Sequence, residues 1–411
     1  MRVLALIAGL IAGKGMAEEM PKVEPAEQAI AIPAETLVAF AAWRAGFRDL
    51  ALGQGIAPAT FDAAFADLAY LPDVVAKDRN QAEFTRTIWD YLDLAVSDKR
   101  VAEGRAALVT HAETLARIEA EFAVEKEVVV AIWGMESSYG ANRGDFPVIA
   151  SLASLAFDGR RKALFEAQLI AALRILQTGE VAPATLRGSW AGAMGHTQFM
   201  PTSWLTMAVD FTGDGRRDIW GDDPTDALAS AASYLARSGW TKGQPWGVEV
   251  SLPPGFDHAN SGKRDRRPVA DWAALGLRQA GGADLADHGT AALLLPAGAA
   301  GPAFLIFGNF AAIEKYNAAD AYVMAVGHLA DRLSGRGPII GGWPRDQRAL
   351  IQAERVELQQ RLTAAGFDTG GADGIIGPNS IAALRAYQKA RGLPADGYPG
   401  TAMLDQLRSP D

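Results

Sequence analysis

The segment Val128 to Gly140, VVVAIWGMESSYG, ends an apolar run on one carboxyl, Glu136, the sole acid between Glu127 and Asp145. Ser137, Ser138, Tyr139 and Gly140 follow it as a natural helix terminus. A carboxylate at the C-terminal end of a buried helix is disfavoured by desolvation and by the negative end of the helix dipole. Both effects raise its pKa, which suits a general acid working near neutral pH. The same pattern also fits a glutamate that finishes its helix in solvent.

A second segment, Ser189 to Ser203 (SWAGAMGHTQFMPTS), is rich in glycine, methionine and aromatic residues and holds one side-chain amide, Gln198. Glycines let a backbone approach a ligand, and methionine and aromatic groups offer apolar platforms on which sugar faces stack. A tightly packed interior loop has the same composition. His196 stands alone in it and reads as structural, and no Ser/His/Asp arrangement rises above chance. A third segment, Asp210 to Asp218 (DFTGDGRRD), has oxygen-bearing side chains at loop positions 1, 3, 5 and 9 and glycine at 6. That matches most of an EF-hand calcium loop. Position 12 is Gly221, so the closing carboxylate must come from Asp222, Asp223 or Asp226; the alternative is a hydrated turn.

These residues need a scaffold, and the composition supplies one. The chain has 411 residues, 49% of them apolar, with 39 basic against 48 acidic side chains and a formal charge of −9. Such a balance is globular, has room for about two or three domains, and argues against broad attraction to nucleic acid or anionic lipid. The absence of cysteine excludes disulfides, thiolate metal sites, cysteine nucleophiles and a lipid-modified N-terminal cysteine. Arg2, the apolar run Val3 to Ala12 and the small residues before Glu18 read as a secretory signal, residues 1–17. Roughly ten apolar residues fall short of the roughly 20 that span a bilayer, so no membrane anchor is expected after cleavage.

A polar, proline-bearing tether follows over 18–33. Apolar spacing predicts helices over 36–48, 59–66 (with Thr60 as N-cap), 84–94, 101–122 and 311–333. The stretch 241–307 reads as a small strand-containing insertion, with Val248 to Leu252, Ala291 to Leu295 and Ala303 to Phe307 as strands. Glycines and a proline over 334–344 mark a linker. The tail, 345–411, repeats an Asp-Gly turn, at Asp373-Gly374 and again at Asp396-Gly397. Each leads to a helix that Ser380 or Thr401 is expected to cap, giving a domain of three short helices.

Read together and in order, Glu136 to Gly140, Ser189 to Pro201, Asp210 to Asp218 with Trp220, and Tyr316-Asn317 resemble the membrane-bound lytic transglycosylase B family, which cuts bacterial peptidoglycan. The resemblance covers 34–333, and the tail is similar to the three-helix peptidoglycan-binding domain. It implies a mainly α, lysozyme-like transglycosylase domain with the small strand-containing insertion, and places Glu136 as the single catalytic acid/base. Arg160 and Arg161 match an arginine pair expected to contact substrate. Ser189, Gln198, Tyr234, Tyr316 and Asn317 fall at positions lining the saccharide groove. Asp210, Thr212, Asp214 and the Arg216 carbonyl match a structural calcium loop, with Asp226 as the closing ligand. No cofactor is implied for catalysis.

The implied reaction has Glu136 protonate the bond between N-acetylmuramic acid and N-acetylglucosamine, then deprotonate the muramoyl C6 hydroxyl as it closes a 1,6-anhydro ring. Expected partners are glycan strands and other cell-wall enzymes, not nucleic acid, for a monomer in the periplasm. Two other readings stand beside this one. A muramidase of the same fold would use water as the acceptor. A non-catalytic wall-binding protein would rely on the tail, although it has no physical reason to retain Glu136, Gln198 and Asn317.

Overall fold

The computed structural model describes residues 32–79 and 86–409. The signal segment 1–17 and the tether up to residue 31 lie outside the described residues. The chain divides into two compact units, one of 32–79 with Glu103–Ala236, the other of 86–102 with 237–409.

The first unit is built of helices with one short antiparallel ladder, Phe146–Pro147 against Arg187–Gly188. Its centre is the helix Lys126–Ser137, buried without interruption from Val128 to Met135. A helix apolar on every side must be wrapped by others. Ala112–Phe122 packs on it, and Val148–Asp158 and Lys162–Thr178 form a tightly packed pair. Pro201–Met207 lies on the second of that pair and Pro72–Arg79 on the first.

Several local expectations are corrected. The second helix is Pro58–Ala64, so Ala57 and not Thr60 is its N-cap. Proline's fixed φ and missing N–H suit a first helical turn. The span 101–122 is two helices, Asp98–Thr110 and Ala112–Phe122, which meet at His111. The His111 ring lies edge-on to Trp133 at 5.3 Å, a tertiary contact that local periodicity does not announce.

In the second unit the insertion forms a five-stranded antiparallel sheet. The strand order is Arg266–Pro268, Thr290–Leu294, Ala303–Ile306, Gly247–Ser251 and Arg278–Gln279. Leu305 is opposite Leu293 on one side and Val248 on the other. The sheet buries Val250, Leu293 and Leu305 with Trp272 of the helix Val269–Ala274. The span 311–333 is two helices, Gly308–Tyr316 and Asp320–Leu333. Between them Asn317 Oδ1 accepts from the Ala319 N–H at 3.1 Å, a local turn that competes with helix continuation. His328 is buried in the second of these, and burial, then Arg332, push its pKa down to about 4.

Residues 334–344 have neither helix nor strand, yet they form an anchored strap. The Ile340 N–H donates to Glu249 at 2.8 Å, and Trp343 packs against Trp89. Just beyond, Arg345 holds Asp93 through two bonds of 2.7 and 3.1 Å. The tail helices Gln352–Ala364, Pro378–Ala390 and Thr401–Arg408 close around Leu358, Leu362, Leu384, Tyr387 and Leu404. Their expected caps are corrected too: Gly377 and Gly400 hold the N-cap positions. Ser380 is buried and accepts from Gln359 Nε2 at 3.1 Å, while Thr401 is already helical. A Cβ at Gly400 would lie 2.7 Å from the end of the Gln347 side chain, which would have to shift to admit one.

Candidate active site and cation loop

Glu136 is half-buried in the last turn of its helix. The chain then turns sharply through Ser138, Tyr139 and Gly140, all left-handed, with φ of 51°, 58° and 87°. Two such residues with side chains cost about 1–2 kcal/mol each and persist only where the surroundings impose them. The surroundings here are specific. The Tyr139 ring covers Gly134, where an added Cβ would come within 2.6 Å of it. Gly140 packs equally closely on the His196 ring. Ser137 Oγ donates to the His196 carbonyl at 2.6 Å and accepts from the Gly140 N–H at 2.9 Å.

His196 is therefore the pin between the two candidate segments. The indole N–H of Trp133 can only donate, and it points at Nδ1 at 3.1 Å. That fixes the proton on Nε2, which donates to the Gly221 carbonyl at 2.7 Å. Burial first, then Arg143, keep the imidazole pKa below its ordinary value despite the bond to Gly221. Arg143 binds the carbonyls of Trp220 (2.8 Å) and Gly221 (2.6 Å) and reaches Asp222 at 3.1 Å.

Gln198 is left-handed at φ 50°. Its amide N–H groups bond to the carbonyls of Arg143 (3.0 Å) and Gly195 (2.8 Å). The amide orientation is thereby set, with Oε1 as the acceptor it can offer a ligand hydroxyl. Ser189 Oγ accepts from the Ala193 N–H at 3.0 Å, closing its turn and leaving the hydroxyl proton to donate. Tyr234, half-buried with its pKa raised by burial, meets Phe199 edge-on.

Arg160 and Arg161 share a partner, and Arg161 also lies over the Phe165 ring. Both hold Asp78, which is only 1% exposed: Arg160 Nε at 2.7 Å from one carboxylate oxygen, and Arg161 on the other. Burial opposes the Asp78 charge, but the two guanidinium groups win and hold its pKa below the usual range. The pair thus anchors the helix Pro72–Arg79 to the turn before Lys162, and one flank of Arg160 stays exposed. Tyr316 and the buried Asn317 belong to the other compact unit, at the end of Gly308–Tyr316.

The loop from Asp210 is closed by Asp226, on the first turn of Thr225–Arg237. Asp226 accepts from the N–H groups of Phe211 (2.8 Å), Thr212 (3.0 Å) and Asp218 (3.0 Å). Carboxylate oxygens of Asp210, Asp214 and Asp226 lie within 4.8 Å of one another. Burial, and then the charge of Asp210, raise the Asp226 pKa. An all-oxygen set of three carboxylates this close suits a hard divalent cation. Asp218, Asp222 and Asp223 turn elsewhere: Asp218 accepts from Trp220 and Gly221, Asp222 pairs with Arg143, and Asp223 accepts from Thr225.

The family model Transglycosylase SLT domain matches residues 39–331, and a peptidoglycan binding domain matches 352–407. The chain belongs to the lytic murein transglycosylase family. Membrane-bound lytic murein transglycosylase B of Escherichia coli (strain K12) is 34% identical over 220 residues, which span 52% of this chain and 58% of that protein. SltB3 from Pseudomonas aeruginosa, solved with NAG-anhNAM-pentapeptide, is 52% identical with a TM-score of 0.88, covering 90% of this chain and 99% of its own. Slt35 of Escherichia coli, solved with calcium, is 29% identical with a TM-score of 0.62, covering 71% and 92%.

Asp78 and Arg143 join the candidate residues only in the fold. Neither carries a local signal, since each acts on residues far along the chain. The weak clue to Arg143 is a lone cation beside the carboxyl-bearing segment, with two glycines near it.

Proposed function

We propose that the chain cuts the β-1,4 bond between N-acetylmuramic acid and N-acetylglucosamine and leaves a 1,6-anhydromuramoyl end. The observation that carries this reading is the carboxyl of Glu136 at the end of an apolar helix, pinned through Ser137 to the Ser189–Ser203 segment. Neither 128–144 nor 189–203 contains another Asp or Glu. Hydrolysis by the usual route needs a second carboxylate to activate water or form a covalent bond. An intramolecular C6 hydroxyl needs only one group, which gives a proton to the leaving oxygen and then takes one from the attacking hydroxyl. The substrate's own acetamido oxygen stabilises the positive charge at C1 in between. Gln198 and Ser189 would orient the sugar hydroxyls, and the tail would hold the enzyme at the wall.

The test is to digest purified sacculi and weigh the muramoyl ends. Anhydro ends are expected. Reducing ends, about 18 Da heavier by one added water, would replace the mechanism with hydrolysis. Export through the signal at 1–17 would bring the enzyme to this substrate in the periplasm. Among the described residues no helix is long and apolar enough to cross a membrane.

Calcium would suit the Asp210 loop, with Asp210, Thr212, Asp214, the Arg216 carbonyl and Asp226 to hold it. It would supply charge neutralisation that holds the loop to the helix Thr225–Arg237, with no part in bond cleavage. At free calcium about a hundredfold above Kd the ion adds about 2.7 kcal/mol of stability. EDTA should therefore lower Tm by roughly 5–10 °C in a unit of this size. An unchanged melting curve would remove calcium from the protein.

A further inference from the structure

The two Asp-Gly turns of the tail are built alike, and one of them is occupied. In the second, Gln388 of the preceding helix clamps the turn: its Nε2 donates to Asp396 Oδ1 at 2.6 Å and its Oε1 accepts from the Gly397 N–H at 2.8 Å. The Tyr398 N–H also bonds to Asp396 Oδ1, at 2.9 Å. The outward oxygen, Oδ2, accepts the backbone N–H of Ala299 at 2.8 Å. Ala299 belongs to the short 3-10 turn Gly298–Ala300 of the insertion. That turn sits so close that a Cβ on Gly298 would be 2.6 Å from Asp396 and 2.7 Å from Tyr398. A small-residue peptide stretch thus presents one N–H to a carboxylate and its bare backbone to the side chain two residues on.

The first turn has the same clamp. Gln359 Nε2 reaches Asp373 Oδ1 at 3.3 Å, Gln359 Oε1 accepts from the Gly374 N–H at 2.7 Å, and the Ile375 N–H bonds to Asp373 Oδ1 at 2.8 Å. The burial differs. Asp373 is exposed, and Ile375, at the position of Tyr398, is 71% exposed. One exposed aliphatic side chain is ordinary by itself; what singles it out is that it holds the position of Tyr398, which packs on Gly298 in the twin turn.

We propose that the Asp373 turn binds the alanine-bearing stem peptide of peptidoglycan in the way the Asp396 turn binds Gly298–Ala300. Asp373 Oδ2 accepts a peptide N–H and Ile375 packs on the neighbouring small residue. The proposal rests on the peptidoglycan-binding reading of the tail and names the part of the polymer that the tail recognises. The occupied twin favours a peptide over a glycan, because its ligand is a backbone N–H between small residues and not a hydroxyl.

The full-length chain, labelled with 15N, would be titrated with a glycan-free stem pentapeptide while the amides of Gly374 and Ile375 are followed. Saturable shifts at those amides are expected. Asp373→Asn keeps Oδ1 for the intradomain bonds but replaces the outward acceptor by a donor, and should weaken binding at least tenfold with Tm unchanged. If Asp373→Asn lowers Tm, Ile375→Ser, at a mainly solvated side chain, takes its place with the same expected loss. Wild-type affinity in the variant, or shifts confined to other amides, overturns the proposal. Retention on intact sacculi separates the two readings. Sacculus binding by the wild type without peptide shifts at 373–375 sinks this site alone, and no sacculus binding sinks the peptidoglycan-binding reading along with it.

Discussion

Glu136→Gln is expected to reduce release of anhydromuramoyl ends by roughly a thousandfold or more while leaving Tm within about 2 °C. A positioned acid or base contributes about 10²–10⁴ in rate, and here one residue would serve both proton transfers. Glutamine preserves the side chain's shape and still hydrogen-bonds. The turn after it is held by Ser137 Oγ, the Tyr139 ring over Gly134 and the Gly140–His196 contact. The measurement is anhydro ends released per enzyme from sacculi, with a thermal melt run on the same preparation. Retention of more than about a tenth of the rate, with normal folding, would move the acid role to another group.

The second large effect is on His196. Replacing it with alanine leaves the Trp133 N–H without its partner, takes one of two bonds from the Gly221 carbonyl, which Arg143 still holds, and opens a cavity between the two loops. The expected loss is about 3 kcal/mol, since each buried polar group left unpaired costs about 1–3 kcal/mol. Activity should fall roughly tenfold or more, because a displacement of about 1 Å in positioning groups can cost about 10² in rate. Ser137, Gln198 and Arg143 all hang on this junction.

His196 also sets a pH dependence. The unfolded chain's histidine takes a proton near 6.5, whereas folded His196, its pKa lowered, takes one only at lower pH. In that window the unfolded state holds more protons, so stability is fully present above about 6.5 and falls as pH falls. His328 acts with the same sign down to about 4, worth about 3 kcal/mol at its full extent. Urea melts at pH 7.5 and 5 should therefore show a smaller acid loss in His196→Ala than in the wild type, with the His328 share remaining. An identical acid loss in both proteins would remove His196 from this role.

Much of this protein is decided by local pattern. The run Val128 to Met135 has no polar face, so it must be a buried helix, and Glu136 with the turn residues behind it must mark its end. The alternation and turn residues of the insertion locate three of its five strands, leaving Arg266–Pro268 and Arg278–Gln279 unannounced, and the repeated Asp-Gly turns locate the tail's last two helices. Spacing alone likewise brings Asp210 and Asp214 together in one loop.

Other features depend on contacts between residues far apart in the chain, which periodicity and propensity do not encode. Asp78 meets Arg160 and Arg161 across more than 80 positions. Arg143 joins Gly221 across 78, and His196 joins Trp133 across 63. The breaks at His111 and Asn317 are set by an aromatic packing contact and a side-chain turn, not by glycine or proline. Among Asp222, Asp223 and Asp226, each a chemically sufficient closing ligand, only folding selects. The helix Thr225–Arg237 carries Asp226 inward to the loop's N–H groups, while its two neighbours turn to Arg143 and Thr225. The insertion's Gly298–Ala300 turn becomes a seat for the tail only once the sheet and the second Asp-Gly turn have both formed, since its one N–H needs a carboxylate 97 residues away.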